Sequence, residues 1–582
     1  LLNKPIPSYL ASVAVANYTH SESEYTSING SLIPIWLASK AIDTADFNAS
    51  FVHLPDALTA FETFYGPYQW PRVGFTVVPF SGGAMEHATN IAYPLFAVNG
   101  NTQYETLFAH ELSHHWWGDL ITCERAEEMW INEGMASYSE RVFLEYLYGY
   151  SSYSNSIRTN HKDVLLNAAR LDGGYFPLAN VPESVTYGNT VYNKGADFAH
   201  TLRGVMGETN FYAGIHDLMS TYAFGTINTI ELRDFLQGYT SENLESVFDL
   251  WAFQPGYPDF RIGNWGYLPF NNNYLVTLNV EQYLNHATNF GINIPVDVQV
   301  IGVNNEIHNQ RFYTNDIYAG EQSFFNFEID FEPKHVFLNR EDKIHYACLA
   351  EEQTVAALGS HDLTFANTEF DIVSNTTSDS LWIRSELHLT SADRVTYLPN
   401  TEYVVSPDRC WYIQTEIPNG IETKTTLRFN GSAAATNALD TALFAEMQLL
   451  GLNETNLVLL HRAGSNAEWQ EFPTATLFTS GSSTNWNGRF EIANIQPGYY
   501  AFAFKTGVIH VPEINNEKTC ISFSNNRIRI PLKSGEFKLF SPSGQLIHSE
   551  KFSSPMDYST SHLPTGTYII QVNDCVQKLF IP

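Results

Sequence analysis

The most constraining feature of the chain is a short motif, His-Glu-Leu-Ser-His, at residues 110–114. Residues four apart on a helix lie on one face, so His110 and His114 can present both imidazoles to one metal ion, with Glu111 beside it. After 18 intervening residues, Glu133 supplies another carboxylate on what is expected to be the following helix. The spacing predicts a site for one zinc ion per chain, with His110, His114 and Glu133 as its ligands.

The same residues predict a reaction type. Zinc with three protein ligands keeps a fourth position open for water, and Glu111 is placed to take a proton from that water as it attacks a carbonyl. Residues 104–118 and 128–147 carry apolar residues at helical spacing, which predicts two helices around the motif. Burying these ionisable groups among aromatic residues is costly without a partner, and a metal ion is the natural one. The residues therefore predict a hydrolase.

Segments on both sides of the motif carry a family resemblance. Residues 110–119 and 129–137 closely resemble the aminopeptidase N-like gluzincin metallopeptidases. Residues 83–87, Gly-Ala-Met-Glu-His, resemble the G-A-M-E-N exopeptidase signature of that family, and residues 191–195 resemble the segment that carries its catalytic tyrosine. The four matches follow the order of the family, and the resemblance covers roughly residues 5 to 345.

The resemblance implies an exopeptidase with a thermolysin-like catalytic domain. Glu111 would be the general base, and Tyr192 would donate a hydrogen bond to the oxyanion that forms during the reaction. Glu86 would hold the free amino terminus of the peptide substrate, so that one residue is measured off from the chain end. The expected substrate-binding residues are Gly83, Ala84, Met85 and Glu86.

Four further residues near the motif are considered for supporting roles. His87 stands where the family signature has asparagine, which implies a shifted substrate preference or a reduced activity. Glu140, two turns after Glu133, and Asp119, at the end of the first helix, are candidates to orient the metal ligands through hydrogen bonds. His115 points away from His114, so we expect it to be packed or to face the substrate.

Pattern changes along the 582 residues predict a multidomain protein, with an α+β thermolysin-like catalytic domain followed by all-β sandwich domains. After Pro258 the helical periodicity nearly stops and strand-like alternation takes over. The predicted divisions are 1–24, the end of a mostly missing N-terminal β-domain; 25–255, the catalytic domain; 256–350, a β-sandwich; 351–505, a β-rich accessory domain; and 506–582, a C-terminal β-sandwich.

Composition excludes several classes of partner. Acidic residues number 62 against 31 basic ones, which argues against nucleic acid or an anionic membrane as a partner. No apolar stretch reaches the length of a transmembrane helix. The chain begins at Leu1 without a signal peptide, so we expect an excised or processed piece. Of the five cysteines, Cys520 and Cys575 are the one pair considered for a disulfide.

The C-terminal end carries a second resemblance. Residues 563–572 and 578–582 resemble the sorting domains of proteins exported by the type IX secretion system, over roughly the last seventy residues. This resemblance implies a Gram-negative bacterium, a secreted or cell-surface location, and the secretion machinery as a partner. An ordinary β-sandwich accessory domain remains the alternative.

Together these observations predict a secreted zinc aminopeptidase that acts on peptides. Two other classes stay open. One is a zinc hydrolase of different specificity, either an endopeptidase or an epoxide hydrolase like one branch of the family. The other is a non-catalytic cell-surface protein that retains the fold, although the intact ligand set disfavours it.

Overall fold

The computed structural model describes residues 4–315, 320–432, 438–482, 484–510, 522–524, 527–530, 534–541, 546–560, 563, 566–572 and 575–581. Its chain divides into two compact units, residues 1–396 with 404–505 and residues 397–403 with 506–582. No helix in the described part of the chain is both long enough and apolar enough to cross a membrane.

The first part of the larger unit mixes helices and short strands. Its helices are α1 (Thr44–Ser50), α2 (Leu54–Tyr65), α3 (Glu105–Ser113), α4 (Glu133–Tyr148), α5 (Tyr150–Asp163), α6 (Ala169–Asp172), α7 (Gly195–Met206), α8 (Glu208–Thr221), α9 (Thr229–Gln237) and α10 (Leu244–Trp251). Its strands are β1 (Thr19–Thr26), β2 (Leu32–Ser39), β3 (Val73–Val78), β4 (Ile91–Pro94), β5 (Ile121–Cys123) and β6 (Gly225–Ile227).

Strands β1 to β4 form one mixed sheet in chain order. β1 is antiparallel to β2, whereas β2, β3 and β4 run parallel. The apolar run of β3 is almost entirely buried, as expected for a central strand with both faces covered. Because β1 pairs with β2 along its whole length, the division predicted at residue 24 falls inside a strand of this sheet.

Helices α3 and α4 pack against each other and carry the residues of the predicted metal site. In α4 the buried side chains Met135, Tyr138, Ser139 and Val142 recur at helical spacing, so one face of the helix lies in the core. The predicted helix over 128–147 is divided, because residues Ala126–Ile131 form a 3-10 turn in which Glu128 has non-helical dihedral angles. Glu133 is therefore the first residue of α4.

After α10 the chain forms strands almost throughout the described residues. Two three-stranded sheets, ordered β10-β9-β12 and β11-β8-β7, come first. Apolar residues at alternate positions of β9 and β11 are buried, which is the pattern of a sheet with one covered face. The strands are β7 (Tyr257–Phe270), β8 (Asn273–Asn285), β9 (Pro295–Gly302), β10 (Ile307–Tyr313), β11 (Gln322–Ile329) and β12 (Pro333–Leu338).

The next part has its own apolar core between two larger sheets, whose strand orders are β13-β16-β18-β24-β20-β21 and β14-β15-β19-β23-β22. The same part of the chain also contains the helix α11 (Thr441–Leu449). The strands are β13 (Cys348–Val355), β14 (Gly359–Ser360), β15 (Glu369–Asn375), β16 (Leu381–His388), β17 (Thr401–Val405), β18 (Cys410–Glu416), β19 (Ile421–Asn430), β20 (Leu457–Arg462), β21 (Gln470–Glu471), β22 (Ala475–Thr479), β23 (Asn487–Ala493) and β24 (Gly498–His510).

The smaller unit contains two further sheets, β25-β26-β29 and β28-β27-β30-β31, around a small core that includes Phe537 and Ile570. The predicted pairing of Cys520 with Cys575 lies outside the described residues, because Cys520 is not among them. The strands are β25 (Ser522–Ser524), β26 (Arg527–Ile530), β27 (Gly535–Phe540), β28 (Leu546–Phe552), β29 (Met556–Ser559), β30 (Gly566–Val572) and β31 (Cys575–Ile581). The protein is thus multidomain, with a mixed α/β domain followed by β-sheet domains.

Candidate active site

Three side chains from α3, its C-terminal end and α4 converge at one point. The Nε2 atoms of His110 and His114 lie 3.2 Å apart. One carboxylate oxygen of Glu133, Oε2, lies 3.4 Å from His110 Nε2 and 3.3 Å from His114 Nε2. All three residues are buried. The structure therefore brings together the three residues that the sequence nominates as metal ligands.

Each imidazole is oriented through its other ring nitrogen. His110 Nδ1 lies 2.9 Å from Glu140 Oε1, and His114 Nδ1 lies 2.7 Å from the backbone oxygen of Trp117. Because a carboxylate and a carbonyl accept hydrogen bonds, both Nδ1 atoms carry hydrogen, and each Nε2 atom presents a lone pair whenever its ring is neutral. Burial lowers the pKa of both rings, but the neighbouring carboxylates outweigh it and raise the pKa of His110 to about 9 and that of His114 well above its usual value, so without a metal ion both rings are positively charged. Glu140 takes the role considered for it, whereas the Trp117 carbonyl was not foreseen and has no side-chain signal in the sequence.

This donor set fits a zinc ion. Two imidazole nitrogens and a carboxylate oxygen face one another at 3.2–3.4 Å, and positive charge placed among them, from ring protons or from a metal ion, makes this close approach favourable. Ligands at about 2.0–2.1 Å from a tetrahedral zinc ion are separated from one another by about 3.3 Å. The triangle formed by His110, His114 and Glu133 therefore has both the chemistry and the size of a zinc site.

Burial and the surrounding charges shift the pKa values of two carboxyl groups in opposite directions. Burial raises the pKa of Glu111 to about 7, although His110 and His114 oppose the shift. Burial alone would also raise the pKa of Glu133, but the adjacent His114 and His110 hold that pKa well below its usual range. Glu133 is thus kept as a carboxylate, while Glu111 can both accept and release a proton near neutral pH.

Tyr192 lies in a π-helical turn, Thr190–Lys194, directly before α7. Such turns are rare and occur often at functional sites. The phenol ring lies parallel to the His110 ring, with 6.1 Å between ring centroids. Burial and the neighbouring Glu133 carboxylate raise the pKa of Tyr192, so the phenol keeps its proton and can donate a hydrogen bond.

Distant side chains hold this turn in place. Asp172 accepts hydrogen bonds from the backbone N–H groups of Asn189 (2.8 Å) and Thr190 (2.6 Å). The Asn160 amide donates to the backbone oxygen of Asn193 at 2.8 Å. Asp172 and Asn160 were not identified from the sequence. Each lies many residues before the backbone group that it binds, and no local sequence pattern identifies it.

The predicted catalytic and substrate-binding residues line one cavity of about 710 Å³. Glu86 is 6% exposed and faces the same space as Glu111. Tyr9, from the segment expected to end an N-terminal domain, lines it as well. The other lining residues include Gly82, Gly83, Ala84, Met85, Thr106, Leu107, His110, His114, Met129, Glu133, Ser137, Glu140, Arg141, Tyr187, Tyr192 and Asn193.

Glu86 is placed by backbone pairing. Met85 exchanges two backbone hydrogen bonds with Ala92 of β4, of 3.0 and 2.9 Å. Gly83 adopts a φ of +102°, a conformation that favours glycine. His87 lines a different cavity, together with Trp36 and Arg72, and its buried Nδ1 has no hydrogen-bonding partner. His87, which replaces the asparagine of the family signature, therefore does not line the cavity of the metal site.

Asp119 and His115 do not orient the metal ligands. Both carboxylate oxygens of Asp119 are buried without a hydrogen-bonding partner, so the role considered for Asp119 is wrong. His115 is packed, as one of its two expected roles: its Nδ1 lies 2.8 Å from the Tyr68 hydroxyl, and its Nε2 accepts from the Thr89 N–H at 3.3 Å. Burial lowers the pKa of His115 to about 3, so this ring is neutral.

The fold and the site define a class, a protein with a mixed α/β domain and a candidate metal centre of two histidines and one glutamate. The model of the Peptidase family M1 domain matches residues 53–251, which include every residue of this centre. Leukotriene A-4 hydrolase of Xenopus laevis is 26% identical over 270 residues, and aminopeptidase B of Mus musculus is 26% identical over 278 residues. This part of the chain is therefore similar to the Peptidase family M1 domain and to these two proteins.

The similarity is partial in length. The matches to leukotriene A-4 hydrolase and aminopeptidase B cover 44% of this chain and 43% and 42% of the two relatives. Among solved structures, Legionella pneumophila aminopeptidase A in complex with aspartic acid is 16% identical, with a TM-score of 0.45, over 56% of this chain and 38% of that chain. The M1 zinc metallopeptidase of Deinococcus radiodurans is 19% identical, with a TM-score of 0.39, over 43% and 55%.

Proposed function

We propose that the protein is a zinc-dependent aminopeptidase that removes the first residue of peptides. The observation that carries the proposal is the metal triangle of His110, His114 and Glu133, which shares one cavity with Glu111, Tyr192 and Glu86. When bound, a zinc ion polarises the scissile carbonyl and lowers the pKa of an attacking water.

Glu111 acts first as a general base. Its carboxylate takes a proton from the water as the water oxygen bonds to the carbonyl carbon. When the carbon–nitrogen bond breaks, the same group returns this proton to the leaving amine. Burial raises the pKa of this carboxyl group, which favours its protonated form in the second step.

Tyr192 and Glu86 supply stabilisation and selectivity. The Tyr192 hydroxyl donates a hydrogen bond to the oxyanion that develops from the carbonyl, a charge that is absent from the bound substrate. The Glu86 carboxylate binds the ammonium group at the start of the peptide. Four glutamates line the cavity, at positions 86, 111, 133 and 140, and their negative charge favours a cation there.

The experiment combines two variants with two substrate types. Purified Glu111→Gln should retain its zinc and lose turnover by about 10²–10⁴-fold, because the metal ligands remain and the base does not. Glu86→Gln should lose turnover of peptides with a free amino terminus, while N-acetylated peptides are poor substrates of every variant. Full activity of Glu111→Gln, or cleavage of blocked peptides by the unmodified protein, would contradict the proposal.

The proposal also includes export through the C-terminal region to the cell surface or the medium of a Gram-negative bacterium. The support is the resemblance of residues 563–572 and 578–582 to type IX sorting domains. The test is the location of the full chain, and of a chain that ends at residue 505, in a bacterium that has this secretion system. Export of the shortened chain would contradict the role given to the C-terminal region.

A further inference from the structure

Outside the active site, three metal-binding side chains converge on two neighbouring strands. Cys348 of β13 lies directly opposite His388 of β16 in their antiparallel pairing, and Glu386 precedes His388 by two residues. Cross-strand partners and residues two apart share one face of a sheet, so the three side chains point the same way. One ligand atom from each lies within 4.8 Å of the others, and all three residues are buried.

His388 is held by a carboxylate from another strand. Its Nδ1 lies 2.8 Å from Asp259 Oδ1 of β7, and because a carboxylate only accepts, Nδ1 carries the hydrogen. Asp259 is itself fixed, since its other oxygen accepts from Arg261 Nε at 2.9 Å and from the Thr390 hydroxyl at 2.6 Å. Metal-binding histidines are commonly oriented in this way, with the free nitrogen directed at the ion.

The free nitrogen of His388 lacks a hydrogen-bonding partner. His388 is 1% exposed, and its Nε2 makes no hydrogen bond. The facing carboxylate oxygen, Glu386 Oε2, lies 3.7 Å away, beyond hydrogen-bonding distance. The other oxygen of Glu386 accepts from Arg384 Nε at 2.8 Å, which leaves Oε2 directed toward His388. The gap is close to the separation of about 3.3 Å between two ligands of one tetrahedral zinc ion.

We propose that Cys348, Glu386 and His388 bind a second divalent metal ion of the zinc type. A thiolate, an imidazole and a carboxylate are all ligands that zinc accepts, and the soft sulfur disfavours magnesium or calcium. The thiol of Cys348 loses its proton to solvent as the sulfur–metal bond forms. Two negative ligands then balance the two positive charges of the ion, so the ion and its three ligands together carry no net charge.

The position of the site gives it a structural role. Cys348 and His388 lie on paired strands, and the Asp259 hydrogen bond connects His388 to β7. A metal ion there would join β13 to β16 and fix the His388 ring, whose other nitrogen contacts Asp259 of β7. None of the three ligands lines the cavity of the proposed active site.

Cobalt substitution tests the site, because a cobalt ion bound by a thiolate has a near-ultraviolet charge-transfer band and the triangle at His110 contains no cysteine. The full chain is stripped of metal and titrated with Co²⁺. The unmodified protein and His114→Ala should both show the band, and Cys348→Ser should not. The matched control is Cys410→Ser, since Cys410 is a buried cysteine opposite His388 on β18 that lies outside the ligand set, and this variant should keep the band.

Metal content after zinc loading and dialysis gives a second measurement. Cys348→Ser should contain one equivalent less than Cys410→Ser, and both should cleave aminoacyl substrates as the unmodified protein does. Absence of the charge-transfer band from the unmodified protein, or equal metal content in the two serine variants, would overturn the proposal. If Cys348→Ser does not fold, the band in His114→Ala together with its retention in Cys410→Ser still decides, because His114→Ala keeps all three proposed ligands and Cys410→Ser removes the cysteine paired with His388 on β18.

Discussion

Gly134 and Gly195 touch backbone to backbone where α4 meets the start of α7. A β-carbon added to Gly195 would lie 2.7 Å from the Cα of Gly134, and one added to Gly134 would lie 2.8 Å from the Cα of Gly195. Gly134 follows the metal ligand Glu133, and Gly195 lies three residues after Tyr192. The absence of two side chains therefore sets how closely the Tyr192 phenol approaches His110, His114 and Glu133.

Gly195→Ala should separate these two segments. The added methyl group has no space, and such overpacking costs about 1–3 kcal/mol in the free energy of unfolding. Because Tyr192 moves with its turn, turnover should fall further than zinc content does. Chemical denaturation, metal analysis and peptidase assays measure the three quantities. Gly174→Ala is the control, since its methyl group would meet only the Phe176 ring at 3.5 Å. Unchanged stability and turnover of Gly195→Ala would refute the role of this contact.

Tyr192→Phe should reduce kcat by about 10²–10³-fold, because it removes one hydrogen bond that forms only in the transition state. KM and zinc content should change little, since the ring still packs beside His110. Tyr187→Phe provides the comparison, because Tyr187 lines the same cavity but is 70% exposed. Equal turnover of the two variants would show that the Tyr192 hydroxyl does not act in the reaction.

Glu140→Ala should weaken zinc binding by about 10–100-fold, because His110 then loses the acceptor that holds its Nδ1 hydrogen and orients its ring. Glu140→Gln keeps an acceptor oxygen without the charge, so its affinity should lie between those of the alanine variant and the unmodified protein. Competition with a chelator measures these affinities. If both variants hold zinc as tightly as the unmodified protein, Glu140 has no part in positioning His110.

The buried Lys194 should make a contribution to the free energy of unfolding that grows as the pH rises above neutrality. Burial lowers the pKa of the Lys194 ammonium group from 10.5 to about 7, although Asp197 opposes the shift. In the unfolded chain this pKa is about 10.4, so between pH 7 and about pH 10 the unfolded chain binds more protons than the folded protein. Lys194 therefore contributes a rise in the free energy of unfolding with pH across this window and no slope below it.

Lys194→Met should flatten that slope, as measured by denaturant titrations between about pH 6 and about pH 9. The exposed Lys40 offers a control, since Lys40→Met should leave the slope as it is in the unmodified protein. A slope that is identical in Lys194→Met and the unmodified protein would mean that burial does not shift the titration of Lys194.

Residues that lie close together in the sequence could be assigned to the candidate site from the sequence, whereas partners far apart in the sequence could not. His110 and His114 are four residues apart, so their common face and the position of Glu111 beside it follow from helix geometry alone. The resemblance to a family supplied the more distant Glu86 and Tyr192. The Trp117 carbonyl, Asp172 and Asn160 escaped prediction because a backbone acceptor leaves no mark in the sequence and long-range hydrogen-bond partners have no fixed spacing. Asp119 was assigned wrongly, because proximity along the chain does not determine which acceptor an imidazole reaches.

By itself, the sequence predicted the three candidate metal ligands that the structure brings together, the mixed helical and strand character of residues 25–255 and the change to strands after Pro258, since these depend on local spacing and periodicity. Only the tertiary structure decided that Gly134 and Gly195 are in contact, that His87 faces a separate cavity, and that Cys348, Glu386 and His388 share one face beside Asp259. These relationships depend on how strands and helices far apart in the chain pack together, and packing is determined by the whole core rather than by any one segment.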